Sequence, residues 1–169
     1  MNLGSSYSLP RRRRVRQGVQ ALELIVGLPI LFFSFIAVMQ FGIQTLVQQA
    51  LTQAAECAAR EAGKGANLAE VVLAVDTILA PHNITISNSA DSLTLVMLET
   101  SDEMANTTTT TYGDPNLNVT TPTPTLEANE ARVTICLGLT KSPLLNALPS
   151  AGFDMFGRTF EISALVKKE

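Results

Sequence analysis

Gly18-Val19-Gln20-Ala21-Leu22-Glu23-Leu24-Ile25-Val26-Gly27-Leu28-Pro29-Ile30-Leu31-Phe32-Phe33 decides the reading of this chain, because an acid stands where a long apolar run begins. Upstream, Arg11, Arg12, Arg13, Arg14 and Arg16 form a basic cluster with no acid among residues 1–18. Downstream, residues 24–55 contain no charged side chain. At about 1.5 Å per residue such a run extends roughly 48 Å, against about 30 Å of bilayer hydrocarbon. Residues 19–45 are therefore expected to cross a membrane once. Arginine before the span and none just after it place the N-terminus in the cytoplasm and the bulk of the chain on the far side.

Composition narrows the rest. The 169 residues are 46% hydrophobic and 16% charged, with a net charge of −3, one His and no Trp. That leaves no stock for a His-based metal site or triad and little aromatic surface for stacking bases. His82 stands alone, Gly63-Lys64-Gly65 lacks phosphate-loop spacing, and the carboxylates are scattered. No enzyme, metal or organic cofactor is expected. The arginine cluster could neutralise phosphates, but beside an apolar run it serves better as an orientation signal, so no nucleic-acid partner is expected.

Glu23 needs compensation, since an ionisable group drawn into a bilayer is costly. A helix N-terminus a few residues earlier is one source, and a free amine is another. Cleavage after Gly18 would put an amine on Val19, one helical turn from the Glu23 carboxylate.

The basic leader, Gly18, Glu23 and the apolar helix resemble the processing site of type IV pilins and pseudopilins. With Glu23-Leu24-Ile25-Val26-Gly27-Leu28-Pro29-Ile30-Leu31, Gln40-Phe41-Gly42 and Gln49-Ala50-Leu51-Thr52-Gln53-Ala54-Ala55, the segment is similar to the TadE-like minor pseudopilins of the tight-adherence (Flp) pilus system. That family commonly carries an aromatic residue directly after the Glu, where this chain has Leu24. The resemblance implies a bacterial inner-membrane subunit cut by a prepilin peptidase after Gly18. It also implies that Glu23 pairs with a neighbouring subunit's terminal amine, and that other pilin or pseudopilin subunits and the assembly machinery are partners. The alternative is a signal-anchored or secreted binding module with no part in pilus assembly.

The expected fold class is α+β. A leader (1–18) and the span (19–45) precede a helical stalk (46–65), then an extracytoplasmic domain (66–169). On the stalk Val47, Leu51, Ala54, Ala58 and Ala62 form one stripe. Pro29 and Gly27 are expected to loosen the span. Gly63 and Gly65 should stop the stalk, and Asn67 should cap a second, short helix ending at Pro81. A small antiparallel sheet of about four strands follows. Ile84 and Ile86 alternate with Thr85 and Ser87, which predicts a hairpin with the strand through Leu93, Leu95 and Met97. Residues 101–129, with Thr107–Thr111 and Thr121-Pro122-Thr123-Pro124, read as a polar loop. Residues 132–138 and 158–166 read as strands, with an excursion between them that includes a turn of helix around Leu144–Leu148. The Asn-x-Thr triplets at Asn83, Asn106 and Asn118 read as chance products of a Thr-rich composition. Cys57 and Cys136 are a possible disulfide joining stalk to sheet, or else two small buried thiols.

Overall fold

The structure, a computed structural model, describes residues 12–90, 92–117, 119, 125–138 and 159–169, with side chains from Gln20 onward. The first eleven residues, the arginine side chains, Asn118, the Thr-Pro repeat at 121–124 and the proposed helical turn at 144–148 lie outside the described residues. The chain divides into two units, residues 1–39 and 40–169.

The first helix, α1, runs Arg12–Gly63. Unit 1 contributes its apolar portion, through which the helix continues past Pro29. Hydroxyls in and beyond this portion are satisfied within the helix: Ser34 Oγ donates to the Ile30 carbonyl at 2.8 Å and Thr45 Oγ1 to that of Phe41 at 2.9 Å. Such back-bonding removes the cost of a polar group where water is absent.

Within unit 2, α1 turns one stripe inward. Val47, Ala50, Leu51, Ala54, Ala55, Ala58, Ala59 and Ala62 are buried in a single core with α2 and the sheet. The stripe is mostly alanine because the helix lies close to its neighbours: a methyl on Gly63 would come within 3.1 Å of Val166. The helix then stops as its glycines require. Ala66 N–H donates to the Glu61 carbonyl (3.2 Å) and Gly65 N–H to that of Ala62 (3.0 Å), with Gly65 at φ +85°. This is the paired closure of a Schellman cap, for which a residue without Cβ is favoured.

The second helix, α2, spans Leu68–Leu79. Asn67 Oδ1 accepts from the Glu70 amide at 3.0 Å, and Glu70 Oε2 accepts from the Asn67 amide at 2.9 Å, a reciprocal capping box. Val71, Val75 and Leu79, four residues apart, are its buried face. A 3₁₀ turn, Ala80–His82, carries Pro81 and ends at Asn83 in the left-handed region. An Asn67→Ala variant is expected to lose about 1 kcal/mol of stability, read as a lower thermal midpoint, since two amides of the first turn lose their acceptors or their alignment.

Four antiparallel strands follow: β1 Thr94–Ser101, β2 Thr107–Gly113, β3 Glu130–Gly138 and β4 Thr159–Lys167, in the order β2-β1-β3-β4. Register places Val96 opposite Ile135 and Ile135 opposite Ile162, and Leu98 opposite Val133 and Val133 opposite Ala164. These rows join the core shared with the helices. The alternate rows form the sheet's other face, where Leu95, Met97, Glu99, Arg132, Thr134 and Cys136 are also buried.

The strand count agrees with expectation, but one strand is elsewhere. The expected hairpin partner around Ile84 and Ile86 is irregular chain that joins no strand of the described sheet. Ile84 is nonetheless buried, and the Ile86 amide donates to Asp76 Oδ1 at 3.4 Å, so α2 takes the bond a strand would have taken. The fourth strand is instead β2, inside the stretch expected to be a loop. β-Branched threonine suits extended backbone, and an edge strand needs no apolar alternation when neither of its faces is buried. Asp102 builds the β1–β2 turn: its Oδ1 accepts from the Met104 and Asn106 amides (2.9 and 2.8 Å), and Oδ2 from the Asn106 side chain (3.0 Å). The Asn106 bonds hold its carboxyl below the usual aspartate range.

Candidate assembly site on the N-terminal helix

Gly18, Val19 and Glu23 all fall within α1, so helical periodicity sets Val19 and Glu23 four residues apart on one side. Glu23 is exposed. Among the residues whose side chains are described, from Gln20 onward, no basic group lies within ion-pair distance of it. Around it the surface is apolar, with Leu22, Leu24, Ile25, Val26, Leu28, Ile30, Leu31, Phe32, Phe33 and Phe35 all exposed. Phe32 and Phe33 meet edge to face with ring centroids 6.2 Å apart. Gln20, Glu23, Leu24, Gly27, Leu28 and Leu31 line a shallow open groove along the helix. At Gly27, one of its lining residues, an added Cβ would meet nothing within 4 Å.

Gln20–Gly63 is long and apolar enough to cross a membrane, with mean hydropathy 2.4 in its most apolar window and none of that window buried. An apolar helix left uncovered fits a single-pass membrane anchor, since water would otherwise order around its whole circumference.

Residues 18–60 match the family model of TadE-like protein. The TadE-like segment begins at Gly18, covers about a quarter of the chain, and ends on the alanine stripe of α1. No curated protein and no solved structure matches the chain.

Cys57 and Cys136 are both free thiols in this structure. Cys57 is partly exposed on α1. Cys136 lies in register with Leu95 and Glu161, on the rows that alternate with the core-facing Ile135 and Leu137, and so points away from the face that packs the helices. Burial pushes the Cys136 thiol up, with Glu161 adding to the effect, which makes it a poor thiolate.

One pair escaped the sequence reading. Arg132 Nη1 lies 3.4 Å from Glu99 Oε2, directly across the β1–β3 ladder, with both side chains 6% exposed. The available signal was one acid, Glu99, in β1 and one base, Arg132, in β3, opposite charges in two largely apolar strands, a pattern that favours cross-strand pairing. Its role is structural, because removal of either partner strands a buried charge. Among the described residues no cluster of His, Cys, Asp and Glu could hold a metal.

Proposed function

We propose that this chain is a membrane-anchored structural subunit of a tight-adherence pilus, processed by a prepilin peptidase after Gly18. The supporting observation is the TadE-like match that starts at Gly18 and runs along a helix in which Glu23, the one charged residue between Gly18 and Ala55, is exposed on an apolar surface. The basic leader, on this reading, stays in the cytoplasm of a bacterium. The span sits in the inner membrane, and residues 66–169 fold on the far side.

Cleavage exchanges the leader for an ammonium group at Val19. That group and the Glu23 carboxylate carry opposite charge on one apolar helix, and when helices pack side by side each chain offers a cation and an anion to its neighbours. In a low dielectric such pairing is far stronger than in water, which favours filament-like assembly over dispersed anchors. The apolar groove at Gly27 gives a neighbouring helix room to approach closely. Partners on this reading are the bilayer, the peptidase, other pilin or pseudopilin subunits and the assembly machinery, and adhesion is the outcome of the assembled pilus.

N-terminal sequencing and intact mass of the protein recovered from membranes test the reading. A mature chain beginning at Val19 is expected. A chain beginning near residues 55–60 would mean an ordinary signal sequence, and a functional chain that retains its arginines would mean an anchor that is never processed.

A further inference from the structure

The sheet has two outer strands, β2 and β4, and their chemistry differs. β4 exposes Glu161 and Lys167, charges of the kind that discourage a second strand from pairing with an edge. β2 exposes Thr107, Thr108, Thr109, Thr110 and Thr111 and carries no charge and no proline. An antiparallel edge strand leaves alternate amides and carbonyls pointing outward, and nothing on β2 blunts them.

We propose that β2 is a self-pairing edge, binding antiparallel to β2 of a second copy of this chain and joining the two sheets. A run of identical residues is its own complement under twofold rotation. With the axis at Thr109, Thr107 faces Thr111 of the other copy, Thr108 faces Thr110, and Thr109 faces its own equivalent. No like charges meet, and directly opposed threonines contribute about 0.2–1 kcal/mol per pair. Five such pairs form a weak contact between free molecules. Anchoring both copies in one bilayer raises their effective concentration, and this step rests on the membrane-anchor reading. A charged partner strand would find no counter-charge on β2, whereas a second copy brings the same uncharged row.

Single cysteines in the full-length chain, in its own membranes, test the pairing. In a Cys57→Ser background, Thr109→Cys is compared with Ser163→Cys, an exposed site on β4. Facing Cβ atoms on adjacent strands lie within reach of a disulfide under mild oxidation. Thr109→Cys is expected to give several-fold more covalent dimer than Ser163→Cys. Adding Thr108→Lys and Thr110→Lys, which would set lysine against lysine, is expected to return the yield to the Ser163→Cys level. Equal yields at the two sites would overturn the proposal, as would a Thr109→Cys dimer indifferent to the lysines, or a crosslink only to a different protein. Repeating the comparison in a Glu23→Ala chain separates the two ideas. Dimer that persists while pilus assembly fails shows that β2 pairing stands apart from the helix contacts.

Discussion

Gly113→Ala is expected to unfold a large fraction of the domain of residues 40–169 at temperatures where the parent is intact. Gly113 closes β2 at φ +132°, a region that a side chain rarely enters. The space is closed as well: a Cβ there would overlap the Thr94 carbonyl oxygen and lie 2.8 Å from Leu95 Cα. These are backbone atoms, so no rotamer change relieves the clash. The same carbonyl accepts the Asp114 amide at 3.0 Å, and any shift that admits the methyl breaks that bond. Strain at such a position costs about 1–3 kcal/mol and forced overpacking a similar amount, so a loss of roughly 2–6 kcal/mol is expected. Set against the usual 5–15 kcal/mol of a folded domain, the thermal midpoint should fall by about 10 °C or more. Gly65→Ala supplies the control, since Gly65 also has positive φ but a methyl there meets nothing within 4 Å. It should lose only about 1 kcal/mol. Circular dichroism melts of the two variants in detergent decide the matter: equal midpoints would mean that the end of β2 opposite Leu95 tolerates a side chain.

What the sequence disclosed depends on whether a signal was local. The end of α1 needed only Gly65 and its neighbours, and the start of α2 needed only Asn67 and Glu70, so both were legible at residue level. The anchor was legible because an uncharged run of that length has few other uses. Strand partners were not local. Ile84 and Ile86 alternate because both pack on the core from a segment outside the sheet, and alternation reports burial of a side, not a ladder. Thr107–Thr111 lacks alternation because β2 buries neither side over those residues, yet its backbone pairs with β1 at every position from Ser101 to Leu95. The Glu99–Arg132 contact joins residues 33 apart and depends on register, which the two separate strand patterns did not specify.

Those local signals converge on Glu23, and its substitution is the second large effect. Glu23→Ala removes a charge from the mouth of an apolar helix, where an ionised side chain costs up to about 2.5–3.5 kcal/mol if carried to the bilayer centre. Membrane insertion should therefore be unchanged or improved, and the domain beyond the membrane should melt as before, because Glu23 lies in unit 1 and contributes nothing to the core of unit 2. On the proposed reading, cleavage after Gly18 should not depend on the carboxylate, and the mature protein should begin at Val19. Assembly is where the loss should appear. Without the carboxylate, the Val19 ammonium of a neighbour has no counter-charge in the bilayer, and incorporation into pili should fall about tenfold for each ~1.4 kcal/mol of pairing lost. Glu23→Gln keeps the shape and a hydrogen-bonding group but not the charge, so it should resemble Glu23→Ala if charge is what matters, and Glu23→Asp should recover part of the parental level. The measurement is the ratio of this subunit in sheared pili to that left in membranes, for all three variants against the parent. Parental ratios in Glu23→Ala, with cleavage intact, would leave the acid as a tolerated interfacial residue and remove the charge pairing from the account of assembly.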